Sequence, residues 1–136
     1  MLFRSGGQVG SGNQKFRVAT LEEIHGRARA HALLHEGQAM LDHIARLIEE
    51  EGIACGFTRC GRFRGAVTPG HYDAMMRDLE DLHRVIAMGF AAVPRDRVRE
   101  EVGSDRYFGG SVLPNDAALH PGLYRSEEHT SELQSH

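Results

Sequence analysis

Apolar residues recur along this chain with two different periods, and the switches between them mark its elements. From Leu21 to Glu51 the spacing is helical. Leu21, Ile24, Ala28, Leu34, Leu41, Ile44 and Ile48 fall near one stripe of a single long amphipathic helix. Thr20-Leu-Glu-Glu23 reads as its capping box, in which the Thr20 hydroxyl accepts from the Glu23 amide and the Glu23 side chain reaches back to the Thr20 amide. Gly52 is the natural stop. Gly26 and Gly37 lie inside the pattern and each costs about 1 kcal/mol of helix propensity, so a kink or break would fall there.

Ile53 to Val67 turns to strand character. Gly56, Gly61 and Gly65 interrupt it, which suggests a twisted or bulged hairpin-like passage. Thr68-Pro69 opens a second helix with proline at the first helical position. Tyr72, Met75, Leu79, Leu82 and Ile86 repeat at three to four residues until Gly89 stops the run. A short strand over Phe90–Val93, a short helix from about Arg95 to Val102 and a strand over Tyr107–Pro114 follow, and Asp116 to Tyr124 begins a further element. Strands near Phe57–Val67 and Phe108–Leu113 are expected in one sheet. The alternation fits an α/β or α+β layer domain, and the α+β class is the expectation, with long helices packed on a small sheet. Gly6 to Gln14 has neither period and reads as a glycine-rich loop.

Composition narrows the picture modestly. Apolar residues make up 40% of the 136, which excludes a disordered composition. The net charge of −3 gives no reason to expect a nucleic-acid partner. No apolar run approaches the ~20 residues of a membrane span, and no signal-peptide pattern is visible, so the expectation is a cytoplasmic protein. Cys55 and Cys60 are too few for a disulfide framework or a four-ligand zinc site, and their spacing puts them on opposite faces of an extended strand.

The two ends look foreign to the rest. Arg125 to His136 matches one reading frame of a sequencing-library adapter, and Leu2-Phe3-Arg4-Ser5 matches the end of its partner adapter. On this expectation residues 1–5 and 125–136 are adapter-derived, the second of them disordered, and their charged groups carry no chemistry.

Candidate chemistry is sparse. His31 and His35 lie four apart on the first helix, with Glu36 beside them, but the HExxH order of a zinc helix is absent; no metal site is expected. Met75-Met76 reads as core filling and Arg95 to Glu101 as a solvated helix face. The glycine loop would let backbone approach a flat or phosphorylated ligand, although it holds no complete G-x-G-x-x-G. A non-enzymatic α+β interaction or metal-binding module is the alternative reading on composition and spacing.

Motifs go further. Gly6-Gly7-Gln8-Val9-Gly10 resembles the end of the R-N-G-G-Q-V segment of flavin-dependent amine and amino-acid oxidoreductases, the family of D-amino-acid dehydrogenase and glycine oxidase. Gly103-Ser-Asp-Arg-Tyr-Phe-Gly-Gly110 and Leu119-His-Pro-Gly-Leu-Tyr124 resemble the G-S-x-x-Y-x-G-G and L-H-P-x-x-Y elements of its gamma-glutamylputrescine oxidoreductase branch. The resemblance implies FAD as cofactor, a small-molecule amine or amino acid as substrate, and a dinucleotide-binding domain interleaved with a substrate domain. It makes 6–20 a flavin-adjacent loop and 21–124 a partial substrate domain with its connecting helix. Gly6, Gly7 and Gln8 become cofactor-side candidates, and His120 and Tyr124 substrate-side ones, although His120 reads more simply as an N-cap or loop histidine before Pro121. Catalytic residues are left unassigned. The phosphate-cradling motif and the carboxy-terminal return to the flavin would belong to missing halves of the parent chain, so the chain as given is expected to be inactive.

Overall fold

The computed structural model describes residues 6–12 and 15–126; the expectations for residues 1–5 and 127–136 lie outside these. The first helical stretch is two helices, α1 (Val18–His25) and α2 (Arg27–Glu50), joined at Gly26. Gly26 sits at φ 82° and ψ 157°, a conformation that side-chain-bearing residues scarcely adopt, so the helical hydrogen-bond ladder breaks there. Gly37 is buried within α2 and breaks nothing. The single apolar stripe therefore divides. Leu21, Leu34, Leu41 and Ile48 are buried, whereas Ile24 and Ala28, on either side of the break, are exposed.

The expected capping box does not form. Arg17 is the N-cap, no side chain caps α1, and Thr20 lies a turn inside the helix. Docking decides this start: Leu21 is 1% exposed and Val18 packs against the same core, so burial outranks the local cap. At α3 (Pro69–Ile86) the local signals prevail. The Thr68 hydroxyl accepts from the His71 amide at 3.1 Å, and Pro69 fills the first position. Ala87 ends the helix with φ 48°, and the His83 Nδ1 accepts from the Gly89 amide at 3.2 Å.

Between α2 and α3 the expected hairpin is absent. Strand β2 (Arg62–Ala66) pairs with β4 (Gly109–Leu113), and β4 pairs on its other edge with β3 (Ala91–Val93), giving a three-stranded antiparallel sheet in the order β2-β4-β3. A short 3-10 turn (Arg95–Arg97) and α4 (Val98–Glu101) join β3 to β4; their charged residues face solvent while Val98 is 2% exposed. The expected partnership of the 57–67 and 108–113 stretches is thus realised, by a long-range ladder.

Two clusters hold the molecule together. The larger joins Leu21, Ala30, Leu34, Ala66, Met75, Leu79, Ile86, Met88 and Leu113, and so locks α1, α2 and α3 onto one face of the sheet. A smaller one gathers Ile48, Ile53 and Cys55 with Ile44, Phe57, Leu119 and Tyr124. Cys55 is buried, Cys60 is exposed, and both are free. Each leucine buried in this way contributes roughly 1.5–3 kcal/mol.

Candidate functional site

The glycine-rich segment is not a free loop. Gln8–Val9 form strand β1, paired antiparallel with β5 (Ala117–Ala118) in the register Gln8↔Ala118 and Val9↔Ala117. The Gly7 carbonyl accepts from the Leu119 amide at 2.8 Å, extending the ladder. Two of the three segments that carry the sequence motifs, from opposite ends of the described chain, therefore share one edge. Gly7 is buried at φ 78°, and a Cβ there would strike the Leu119 carbonyl oxygen and, at 3.1 Å, Pro121. Its glycine serves this pairing. Gly6 differs: it is exposed, with open space where a Cβ would point, and Gln8 is exposed on the strand. The backbone at Gly6 is therefore open to close approach by a ligand, whereas that at Gly7 is closed by the pairing.

His120 precedes a short helix over 121–126, and Tyr124 lies within it. The His120 ring is its N-cap: Nδ1 accepts from the Leu123 amide at 3.1 Å, and the His120 carbonyl accepts from the Tyr124 amide at 3.0 Å. The neutral ring then carries its proton on Nε2. The His120 amide donates to the Cys55 carbonyl at 2.7 Å, and the Tyr124 ring packs on the smaller cluster. Both residues thus have structural work beside the β1–β5 edge. The other motif has such work too. Tyr107 meets Phe63 edge-to-face at 5.7 Å, Phe108 meets Tyr72 at 6.0 Å, and a Cβ on Gly110 would lie 2.7 Å from the Phe63 ring.

One buried charge was not visible in the sequence. Asp116 is 6% exposed, lies directly before β5, and has its Oδ2 3.2 Å from the Arg62 Nε, an ion pair without an aligned hydrogen bond. Burial pushes its carboxyl above the usual carboxylate range, and the positive charges of Arg62 and Arg64 oppose that shift without cancelling it. Sequence reading had no signal for it, because the contact is made across three segments.

Two clefts meet at Ser11. One, of about 210 Å³, lies between the β1–α1 connection and α3, with Lys15, Arg17, Arg64, Asp78 and Asp81 around an apolar floor of Leu34, Leu79, Leu82 and Ile86. The other, of about 220 Å³, is polar and includes Gln38, Asn115, Asp116 and the Asp42–Arg59 ion pair at 3.0 Å. Both fall below the roughly 300 Å³ at which ligand pockets begin, so neither is a complete substrate site in this chain. Among the described residues no group of three or more His, Cys, Asp or Glu side chains could hold a metal ion; His31, one of the helical pair, bonds Glu22 Oε1 at 2.8 Å.

Helices thus lie on one face of a small antiparallel sheet, and the glycine-flanked strand β1 pairs with β5 at a separate edge. The solved glycine oxidase of Geobacillus kaustophilus superposes with a TM-score of 0.59 at 18% identity, covering 94% of this chain and 33% of that one. Glycine oxidase from Bacillus cereus ATCC 14579 gives 0.58 at 20% identity, with 94% and 32% covered. At these identities the likeness is one of fold, and the chain spans about a third of the length of either relative. The chain belongs to the FAD-dependent oxidoreductase (DAO) family, whose model matches residues 3–127. No curated protein matches in sequence.

Proposed function

We propose that the protein to which this chain belongs oxidises the C–N bond of a small amine or amino acid, with gamma-glutamylputrescine-like amines as the preferred substrates. The carrying observation is the β1–β5 ladder, which draws the glycine segment and the Leu119-His120-Pro121 segment onto one edge within a chain of this family. FAD, when bound, supplies the hydride acceptor that no side chain can be. This chain contributes position. Gly6, with Gly7 and Gln8 holding it through the pairing, presents backbone to the ring, and His120 and Tyr124 hold the neighbouring turn on the substrate side. The sheet excludes water from one flank. The branch assignment rests on the Gly103–Gly110 and Leu119–Tyr124 motifs.

The chain as given is inactive on this reading, since its sequence has no G-x-G-x-x-G to cradle a dinucleotide phosphate. The test compares this chain with the full-length parent after mixing with FAD and desalting. The parent should stay yellow and bleach with gamma-glutamylputrescine faster than with glycine or D-amino acids, while this chain should emerge colourless. A colourless parent overturns the reading. Bleaching by glycine alone overturns the branch, and flavin retained by the short chain overturns its inactivity.

A further inference from the structure

We propose that Asp116 is the positioning residue of the flavin-side edge: its buried carboxylate, wedged beneath Gly10 and paired with Arg62, sets the seat of β1 on the sheet of the substrate domain. The inference rests on the reading above, in which Gly6 to Gln8 flank the flavin. Three contacts converge on this one residue. A Cβ on Gly10 would lie 2.9 Å from Asp116 Oδ2 and 3.2 Å from both Cγ and Oδ1, so the glycine backbone rests directly on the carboxylate. Arg62, the first residue of β2, lies 3.2 Å from Oδ2, and the Asp116 carbonyl accepts from the Gly61 amide at 2.8 Å. The next residue, Ala117, is the ladder partner of Val9. One residue thus links three places: its side chain meets the segment after β1 and the start of β2, and its backbone leads into β5.

Stability alone does not account for a carboxylate here. A buried charge whose partner is not aligned for a hydrogen bond costs more than it returns, and a small apolar residue would fill the place better. A wedge of fixed size is what the geometry supplies. Gly10 is two residues from Gln8, so any shift of the carboxylate moves the strand whose other end faces the ring.

The experiment uses the full-length parent and measures the FAD dissociation constant, the visible flavin spectrum, and hydrogen exchange of the 8–12 amides in the apoprotein. Asp116→Ala and Gly10→Ala should each weaken FAD about tenfold or more, as a small misplacement of a binding group does. Each should also alter the flavin band and speed exchange at 8–12. The double variant should be no worse than either single one, because the added methyl then occupies the space the carboxylate left. Asp116→Asn, which keeps the shape, should recover most of the affinity. Gly103→Ala, where nothing lies within 4 Å, serves as the control. If Asp116→Ala does not fold, Gly10→Ala and its rescue by Asp116→Ser decide. Wild-type affinity and spectrum in folded Asp116→Ala or Gly10→Ala, or strictly additive losses in the double variant, would overturn the proposal while the wild-type parent remains yellow. A wild-type parent that never binds FAD overturns it together with the reading on which it rests.

Discussion

Asp116 also makes a prediction about pH. Its carboxyl holds its proton to higher pH in the folded molecule than the 3.8 of an ordinary aspartate, because it is buried and the facing Arg62 and Arg64 only partly offset that. As pH rises, the unfolded chain therefore releases this proton first and is favoured by doing so. The contribution to stability is complete below about pH 4 and is lost as pH climbs through the raised folded value. Urea unfolding across that window should show wild type losing stability relative to Asp116→Asn; parallel curves for the two would refute it. The core gives a larger effect. Leu79 is 2% exposed among α1, α2 and the sheet, and Leu79→Ala should cost about 2–5 kcal/mol in the same assay.

The helices differ in what places them. For α3 the local code suffices: Thr68→Ala removes the acceptor of the His71 amide and should cost about 1 kcal/mol of stability by chemical denaturation. At the α1–α2 junction the backbone decides. Gly26→Ala forces a side chain into φ 82°, and a loss of about 1–3 kcal/mol is expected despite alanine's better helix propensity. If that variant were more stable, the break would be incidental. The same contrast explains what could be read in advance. Pro69, Gly52 and the heptad-like apolar spacing of α3 act within a turn or two, so those elements were legible. The start of α1 was not, because burial of Leu21 overrode the Thr20 cap. The 53–67 stretch looked hairpin-like because strand character is local, but its expected partnership with the 108–113 stretch was legible and is made, across α3, β3 and α4, by Gly109–Leu113. Of the candidate site, the resemblance singled out the Gly6–Gly10 and Leu119–Tyr124 segments, but not that they are joined by the β1–β5 pairing. The wedge of Asp116 under Gly10 was not, since no spacing rule links two residues that meet only in the folded chain.

At the scale of the molecule, the question is what covers its outer surface. Phe16, Ile24, Met40, Val67 and Leu123 are exposed by 47% to 60%. On the proposed reading the rest of the parent lies over part of this surface, so this chain alone should enhance the fluorescence of a hydrophobic dye and the full-length parent should not. Equal dye binding by both would count against that cover. The β1–β5 ladder carries a last consequence, for the order of assembly. Its two strands stand at nearly opposite ends of the described chain, so closing it confines almost all the residues between them. A ladder of four residues returns little for so large a loop, and it forms only once the three helices and the sheet have already brought its strands near. On a ribosome, Gln8 and Val9 emerge more than a hundred residues ahead of Ala117 and Ala118 and wait for them. The edge nearest the proposed cofactor is thus expected to be the last part of this chain to acquire its structure and the first to exchange its amides on heating, which hydrogen exchange at Gln8 and Ala118 would check.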